Sequence, residues 1–188
     1  MQARIFDLSN NDPILAGSNT GRRMFNSLWE LAFSSKDHLF VLDFSGIRVV
    51  TWSFVREAVV VFRKRAREEL PHLYPVLTNL SAEVEEEVVI VLNQMGEAFW
   101  CFNIDGKGRI RKRRLLGRLD PKLQETLDLI DKGRGFDAAT LWKSTNSTES
   151  VGVTAWNNRL ASLSKQGLVF ESKVGKQKSF RPLHESTG

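Results

Sequence analysis

Residues 153–169, VTAWNNRLASLSKQGLV, carry short polar side chains whose types and spacing suit contact with the base edges of DNA. In a helix of 100° per residue, one arc holds the apolar residues Val153, Trp156, Leu160 and Leu163. The opposite arc holds mostly uncharged residues, namely Thr154, Asn158, Ala161, Ser162 and Lys165. Asparagine can pair with adenine, and threonine can contact the thymine methyl group. The pattern predicts a helix anchored by Trp156 whose outward face can approach bases.

A basic segment follows this helix. Gly167 is expected to end the helix, and LVFESKVGKQKSFRPL predicts two strands joined by a Gly-Lys turn. Four cations of the segment are expected to contact DNA phosphates, which attract Lys and Arg whatever the base sequence: Lys173, Lys176, Lys178 and Arg181. Arg159 lies on the flank of the helix, where it would meet either a phosphate or an acidic neighbour. Asn157 is expected near the bases.

The positive charge of the chain is local. Residues 107–119 contain seven Lys and Arg with no Asp or Glu, and residues 150–183 contain six against one, within a net charge of +5. Such asymmetry is typical of proteins that bind polyanions, although charge alone does not establish binding to nucleic acid. The first cluster, RIRKRR, would be either a solvated connector or an additional phosphate contact.

Several classes of protein are disfavoured by what the sequence contains. The single cysteine, Cys101, leaves no intramolecular disulfide, and its apolar surroundings predict a buried strand residue. No apolar run approaches the roughly 20 residues that cross a bilayer, and no leader segment is evident, so a cytoplasmic protein without membrane contact is expected. The three histidines share no spacing with Asp, Glu or Cys that suggests a metal site or a catalytic triad. We therefore expect no enzyme, no metal and no cofactor.

The first 105 residues alternate strand and helix patterns. ARIFDLS predicts a strand, Thr20 would cap the first helix, and HLFVLDFSGI predicts a strand buried on both sides. Ser53 would cap a second helix with Val55, Ala58, Val59, Phe62 and Ala66 inside and with Arg56, Arg63, Lys64 and Arg67 outside. After a short strand at YPVLTNL, Ser81 and Gly96 are expected to start and end a third helix.

A change of pattern near residue 118 predicts a second domain. The run AFWCFNIDGKGRIRKRRLLG predicts a hairpin that completes the first domain. Beyond it, Pro121 suits the first turn of a helix, Asp137 can cap a short second helix, and the polar stretch STNSTES leads to the helix over 153–165. We expect an α/β domain with a mixed sheet over residues 1–118 and an α+β domain over 119–188.

The run RLASLSKQGLV followed by a basic hairpin resembles the recognition helix and wing of MarR-like winged helix-turn-helix domains. The resemblance covers roughly residues 120–183. It implies a DNA-binding set in the helix and the hairpin: Thr154, Asn157, Asn158, Arg159, Ser162, Lys165, Lys173, Lys176, Lys178 and Arg181. It also implies a homodimer, since such domains usually read two-fold DNA sites.

The run FVLDFSGIRVVTWSFVREAVVVF, with GRRMFNSLWEL before it and VLTNLS after it, resembles the STAS-like domain family, which is related to the anti-sigma-factor antagonists. The resemblance covers about residues 3–103. In that family, a Ser or Thr at the strand-to-helix turn can be phosphorylated by a partner kinase of the GHKL ATPase type. The matching position is Ser53, with Thr51 as its neighbour. A phosphate is favourable at a helix N-terminus, and the alternative is that Ser53 only caps the helix.

Two hypotheses about function follow. The first is a bacterial-type transcriptional regulator whose winged helix binds duplex DNA while its STAS-like domain senses or docks a partner. The second is a protein-interaction adaptor whose STAS-like domain binds an ATPase or kinase and whose winged helix docks protein.

Overall fold

The computed structural model describes residues 1–105, 109–133, 137–145, 152–175 and 177–183, with the backbone alone at 174 and 177. Within it the chain divides into two units, Met1–Arg118 and Leu119–Gly188. Helices and strands occur in both units, so the expected mixture of α and β structure is confirmed at that level.

A five-stranded sheet organises the first unit. The strands of this unit are β1 (Gln2–Arg4), β2 (Ile14–Leu15), β3 (Leu39–Asp43), β4 (Val49–Val50), β5 (Tyr74–Thr78), β6 (Ala98–Ile104) and β7 (Ile110–Gly117). The sheet has the order β1-β3-β5-β6-β7, while β2 and β4 form a separate parallel pair. Its first four strands are parallel and β7 is antiparallel to β6. The expected mixed sheet is therefore confirmed.

Helical segments connect the parallel strands. They are α1 (Ile5–Leu8), α2 (Ser18–Ser34), α3 (Trp52–Val55), a π-helical segment (Arg56–Val61), α4 (Phe62–Glu69) and α5 (Ala82–Met95). The Ser81 hydroxyl accepts a hydrogen bond from the Val84 amide at 3.3 Å, and Gly96 ends α5 in the left-handed conformation at φ 64°. Both predicted ends of α5 are thus confirmed, because each depends on a residue whose local chemistry favours that position.

Two expectations near the N-terminus were wrong. The strand predicted over ARIFDLS ends at Arg4, because β1 pairs with only three residues of β3 before the chain turns into α1. The predicted cap Thr20 lies inside α2, whose N-cap is Gly17 at φ 82°. Glycine adopts this conformation without steric penalty, which lets the helix begin earlier than the side-chain pattern indicated.

Alternate strand residues build the core of the first unit. Phe40, Leu42, Leu77, Phe99 and Cys101 lie on one face of the sheet and pack with the buried sides of the helices. Cys101 is 1% exposed, as the sequence predicted. Burial raises the pKa of its thiol to about 11, so the sulfur is held as an unreactive core atom.

Arg63 is buried, although the sequence pattern placed it on the outward side of its helix. Its side chain is 3% exposed and forms an ion pair with Glu97 and a hydrogen bond to the Ala98 carbonyl. The guanidinium also lies 4.5 Å from the centre of the Phe99 ring. A partner distant in sequence makes this burial tolerable, because a buried charge is stable only when it is paired.

The described residues of the second unit form three helices followed by a hairpin, in the predicted order. Its elements are α6 (Pro121–Asp131), α7 (Ala138–Ser144), α8 (Val153–Lys165), β8 (Val169–Val174) and β9 (Gln177–Pro182). Asp120 accepts a hydrogen bond from the Lys122 amide and Asp137 accepts one from the Thr140 amide, each at 2.9 Å. The N-cap predicted at Asp137 and the early position of Pro121 are confirmed.

In the second unit, α6 and α7 pack against α8, and α8 packs against the hairpin. A small apolar core results, made by Leu127, Ile130, Leu141, Trp156, Leu160, Leu163, Val169 and Phe180. This core fixes which side of α8 faces inward and which side faces solvent.

Candidate nucleic-acid interface

The helix α8 has two chemically distinct sides. Trp156 is 3% exposed, and Leu160 and Leu163 are fully buried. The outward side carries exposed Thr154, Asn157, Asn158, Ala161 and Lys165, with Ser162 half-buried. No carboxylate occurs in the sequence of α8. The two-sided helix predicted from the sequence is confirmed, and its outward face can donate and accept hydrogen bonds without repelling an anion.

Trp156 holds α8 in place through packing. Its Nε1 atom is buried and has no hydrogen-bond partner among the residues that the structure describes. The side chain is therefore held by its apolar area, and burying an aromatic group of this size contributes several kcal/mol. The apolar packing of Trp156 therefore orients the outward face of α8.

Arg159 does not belong to the outward face, which corrects its expected phosphate contact. Its side chain is 9% exposed, its guanidinium lies 4.7 Å from the centre of the Trp156 ring, and Nη1 lies 4.0 Å from Oε2 of Glu125 in α6. The acidic neighbour, the other possibility left open by the sequence, is the one found. An arginine packed on an indole ring keeps its charge in an apolar setting through cation-π attraction.

The register of the hairpin separates its cations. Lys173 pairs with Lys178 across the strands, and Phe170 pairs with Arg181. Since side chains alternate between the faces of a strand, the two lysines share one face and Arg181 lies on the other. All three side chains are exposed. Lys176, the fourth cation predicted to contact phosphate, lies outside the described residues.

Glu171 links α8 to both strands of the hairpin, a role that the sequence did not predict. Its Oε2 accepts a hydrogen bond from the Ser164 hydroxyl at 2.7 Å, and its Oε1 lies 2.6 Å from Nζ of Lys178. One signal could have pointed to it, since it is the one carboxylate among residues 150–183. The positive charge of Lys178 is therefore partly compensated, while the hairpin is fixed against the helix.

Three arginines in and next to β7, namely Arg109, Arg111 and Arg114, are matched by carboxylates of the first unit. Arg109 and Arg111 each contact Oδ2 of Asp105, at 3.0 Å and 2.8 Å. Arg114 forms an ion pair with Glu85 in α5. These contacts favour a structural role for most of this basic strand over the additional phosphate contact, because a paired cation attracts a distant anion less.

Thr51 and Ser53 lie together at the start of α3, both half-buried. Thr51 occupies the N-cap, so the capping role expected of Ser53 was wrong. The Thr51 hydroxyl accepts a hydrogen bond from the Gly17 amide at 3.0 Å and lies 3.3 Å from the Ser53 hydroxyl. Ser53 lies in the first turn of α3, next to the Thr51 hydroxyl that the Gly17 amide also contacts.

No group of three or more His, Cys, Asp or Glu among the described residues could hold a metal ion. No described helix combines the length and apolarity needed to cross a bilayer.

No model of a known protein family matches the sequence, and no curated protein matches it significantly.

Proposed function

We propose that the chain is a DNA-binding protein, a transcriptional regulator of the bacterial type, in which residues 119–188 form a winged helix-turn-helix domain. In this proposal α8 enters the major groove of duplex DNA and the hairpin β8-β9 lies along the phosphate backbone. The first unit, as a STAS-like domain, docks or senses a partner. Two copies of the chain bind two half-sites related by two-fold symmetry.

The observation that carries the proposal is the outward face of α8. Four exposed side chains on this face are short and uncharged, namely Thr154, Asn157, Asn158 and Ala161. A helix surface shaped only by solubility is usually rich in Glu and Lys. Short amide and hydroxyl groups instead suit close approach to base edges, where long charged side chains would keep the backbone away.

Cations around this face suit a phosphate backbone. Lys165 is exposed in the last turn of α8, and Lys173 is exposed on β8. No ion pair joins either lysine to a carboxylate among the described residues. Contacts of such lysines with phosphates release bound counterions from DNA, so the affinity should fall steeply as salt rises.

The test is fluorescence anisotropy of a labelled 30-base-pair duplex titrated with the full chain at several KCl concentrations. We expect salt-sensitive binding that weakens at least 10-fold in the double variant Asn158→Ala plus Lys173→Ala. The matched control is Lys132→Ala, which removes an exposed lysine next to the C-terminus of α6. Duplex affinity equal in the double variant and the wild type would refute the proposed interface.

A second candidate function is a protein-interaction adaptor in which the first unit binds an ATPase of the GHKL type. It is favoured by a pair of apolar residues that β2 and β4 present to solvent, Ile14 and Val49, which are 54% and 47% exposed. This pair lies in the strands that lead into Gly17 and Thr51. Exposed aliphatic side chains beside hydroxyl groups fit a protein interface with a modifiable centre.

The adaptor function predicts partner binding without salt-sensitive affinity for DNA. A co-expressed GHKL-type ATPase should co-purify with the wild-type chain, and less with Ser53→Glu or Val49→Glu. The matched control is Val61→Glu, on another exposed apolar position of the same unit. Equal co-purification with all four proteins would contradict the proposed docking surface.

A further inference from the structure

Arg159 is the only arginine of α8, and the structure turns it away from the face that would meet DNA. The guanidinium is held between the Trp156 ring, at 4.7 Å, and Glu125 of α6, at 4.0 Å. Arginine is the side chain that most often specifies guanine, through paired hydrogen bonds to O6 and N7. To make that contact, Arg159 would have to leave the Trp156 ring and Glu125 and expose the indole ring.

Lysine can also bind guanine, but the exposed lysine of α8 lies at the wrong end of the helix. Lys165 is 11 residues beyond Thr154, which is about 16 Å along the axis at 1.5 Å per residue. Recognition helices of this kind usually contact bases with their N-terminal residues. Lys165 therefore falls at the phosphate backbone when the first turns of α8 lie against the bases.

Three exposed side chains form a compact patch in the first turns of α8. Asn157 and Asn158 follow Thr154 by three and four residues, so all three are neighbours on the helix surface. Between Thr154 and Asn158 the helix rises about 6 Å, close to two base-pair steps of about 3.4 Å. The patch can therefore span up to three consecutive base pairs, with Ala161 about one turn of the helix beyond Asn158.

The chemistry of this patch matches one kind of base pair. Asparagine makes paired hydrogen bonds to N6 and N7 of adenine, and the methyl groups of Thr and Ala contact the thymine methyl. Guanine and cytosine offer no methyl group and are best met by arginine and by carboxylates, which this face lacks. We propose, on the premise of the function proposed above, that α8 specifies adenine-thymine base pairs through Asn157 or Asn158, with Thr154 and Ala161 against thymine methyl groups.

The experiment selects duplexes from a 40-base-pair library with 14 central random positions, using the full chain, and sequences the bound fraction. We expect an enriched motif containing at least one invariant A·T pair. A single substitution of that pair by G·C should weaken binding by about 5-fold to 150-fold, the range measured for loss of a good bidentate contact. Either Asn157→Ala or Asn158→Ala should abolish the preference at that pair.

The matched control is Lys165→Ala, which should weaken binding to every duplex alike and leave the motif unchanged. A motif specified by G·C pairs, an A·T preference that persists in both asparagine variants, or salt-sensitive binding with no enriched motif would overturn this inference while the proposed DNA-binding function stands. Failure of the chain to retain any duplex would overturn both.

Discussion

The Ser164 hydroxyl in α8 donates a hydrogen bond to Oε2 of Glu171 in β8 at 2.7 Å. The second oxygen of the same carboxylate lies 2.6 Å from Nζ of Lys178 in β9. Helix and hairpin are thereby joined through the one acidic group of residues 150–183, which contain six Lys and Arg. Glu171 both positions the hairpin and withholds part of the charge of Lys178 from any bound anion.

Replacement of Glu171 by glutamine should release the charge of Lys178. Glutamine still accepts the hydrogen bond from Ser164, so the hairpin should keep its position. If Lys178 then contacts a phosphate, the slope of log K against log salt concentration should steepen by about 0.9. Anisotropy titrations of a duplex in a series of KCl concentrations measure this slope.

The control for this prediction is Asp128→Asn, which removes the same charge from an exposed position of α6. Its slope should stay near that of the wild type. Equal steepening in both variants would mean that only net charge changed and that Lys178 does not contact DNA.

Loss of Glu97 should destabilise the first unit, because it leaves the buried Arg63 without its ion pair. Burial lowers the pKa of Arg63 to about 10, with Glu97 opposing that shift, so the guanidinium stays charged at neutral pH. Glu97→Ala should cost about 3–5 kcal/mol of unfolding free energy, as expected for a broken buried pair. Urea unfolding followed through the NMR signals of the β6 amides measures the loss.

An exposed ion pair in the same unit provides the comparison. Glu69 contacts Arg65 at 2.6 Å with both side chains about half exposed, and Glu69→Ala should cost less than about 1 kcal/mol. A similar loss in the two variants would contradict the special role of Glu97.

Asp43 should make the first unit less stable in acid. Burial by itself would raise the pKa of this carboxyl, but hydrogen bonds from Ser45, Asn79 and Gln2 together lower the pKa below its usual value. A lowered folded pKa stabilises the fold above the unfolded pKa of about 3.9, and this stabilisation is lost as the pH falls through the folded pKa.

The measurement is hydrogen exchange of the β3 amides in the wild type and in Asp43→Asn. At pH 6 the variant should open more readily, and the difference in opening free energy should shrink steadily below about pH 4. A difference that does not vary with pH would show that the ionised carboxylate contributes no more than a neutral amide.

Gly21 should not tolerate alanine, although it lies inside a helix. A Cβ atom at this position would lie 2.8 Å from Cβ of Glu57 and 3.1 Å from the Phe54 carbonyl oxygen. Alanine normally favours a helix by about 1 kcal/mol over glycine, but this overlap would force α2 away from the helix beside it, at about 1–3 kcal/mol. Calorimetry should show a lower melting temperature for Gly21→Ala than for the wild type. The control Asn26→Ala, on the exposed side of α2, should not lower the melting temperature. A melting temperature raised by Gly21→Ala would disprove the close packing.

Features set by neighbouring residues could be predicted from the sequence. Asp137 caps α7 and Gly96 ends α5, because the amide donors and the backbone conformation involved lie within a few residues. The two sides of α8 followed from helical spacing alone. The pairing of Lys173 with Lys178 could also have been predicted, since placing the turn at the Gly-Lys pair of the sequence fixes which residues pair across the hairpin.

Features set by distant partners could not be predicted. Helical spacing placed Arg63 on the outward side of its helix and Arg159 on the flank of α8, and both are buried against a carboxylate and an aromatic ring. The partners become neighbours only once the chain has folded. Thr51, and not Ser53, is the N-cap residue of α3, and its hydroxyl accepts a hydrogen bond from the amide of Gly17, a residue distant in sequence.

The most direct measurement of whether α8 meets DNA is an NMR titration of the isotope-labelled full chain with a 20-base-pair duplex at 100 mM KCl. We expect the largest shifts at the amides of Thr154, Asn157, Asn158 and Ala161 and at the side-chain amides of both asparagines, with smaller shifts at Lys173 and Lys178. Shifts confined to β7 or to the first unit, or no shifts at duplex concentrations up to 1 mM, would contradict the proposal that this face binds duplex DNA.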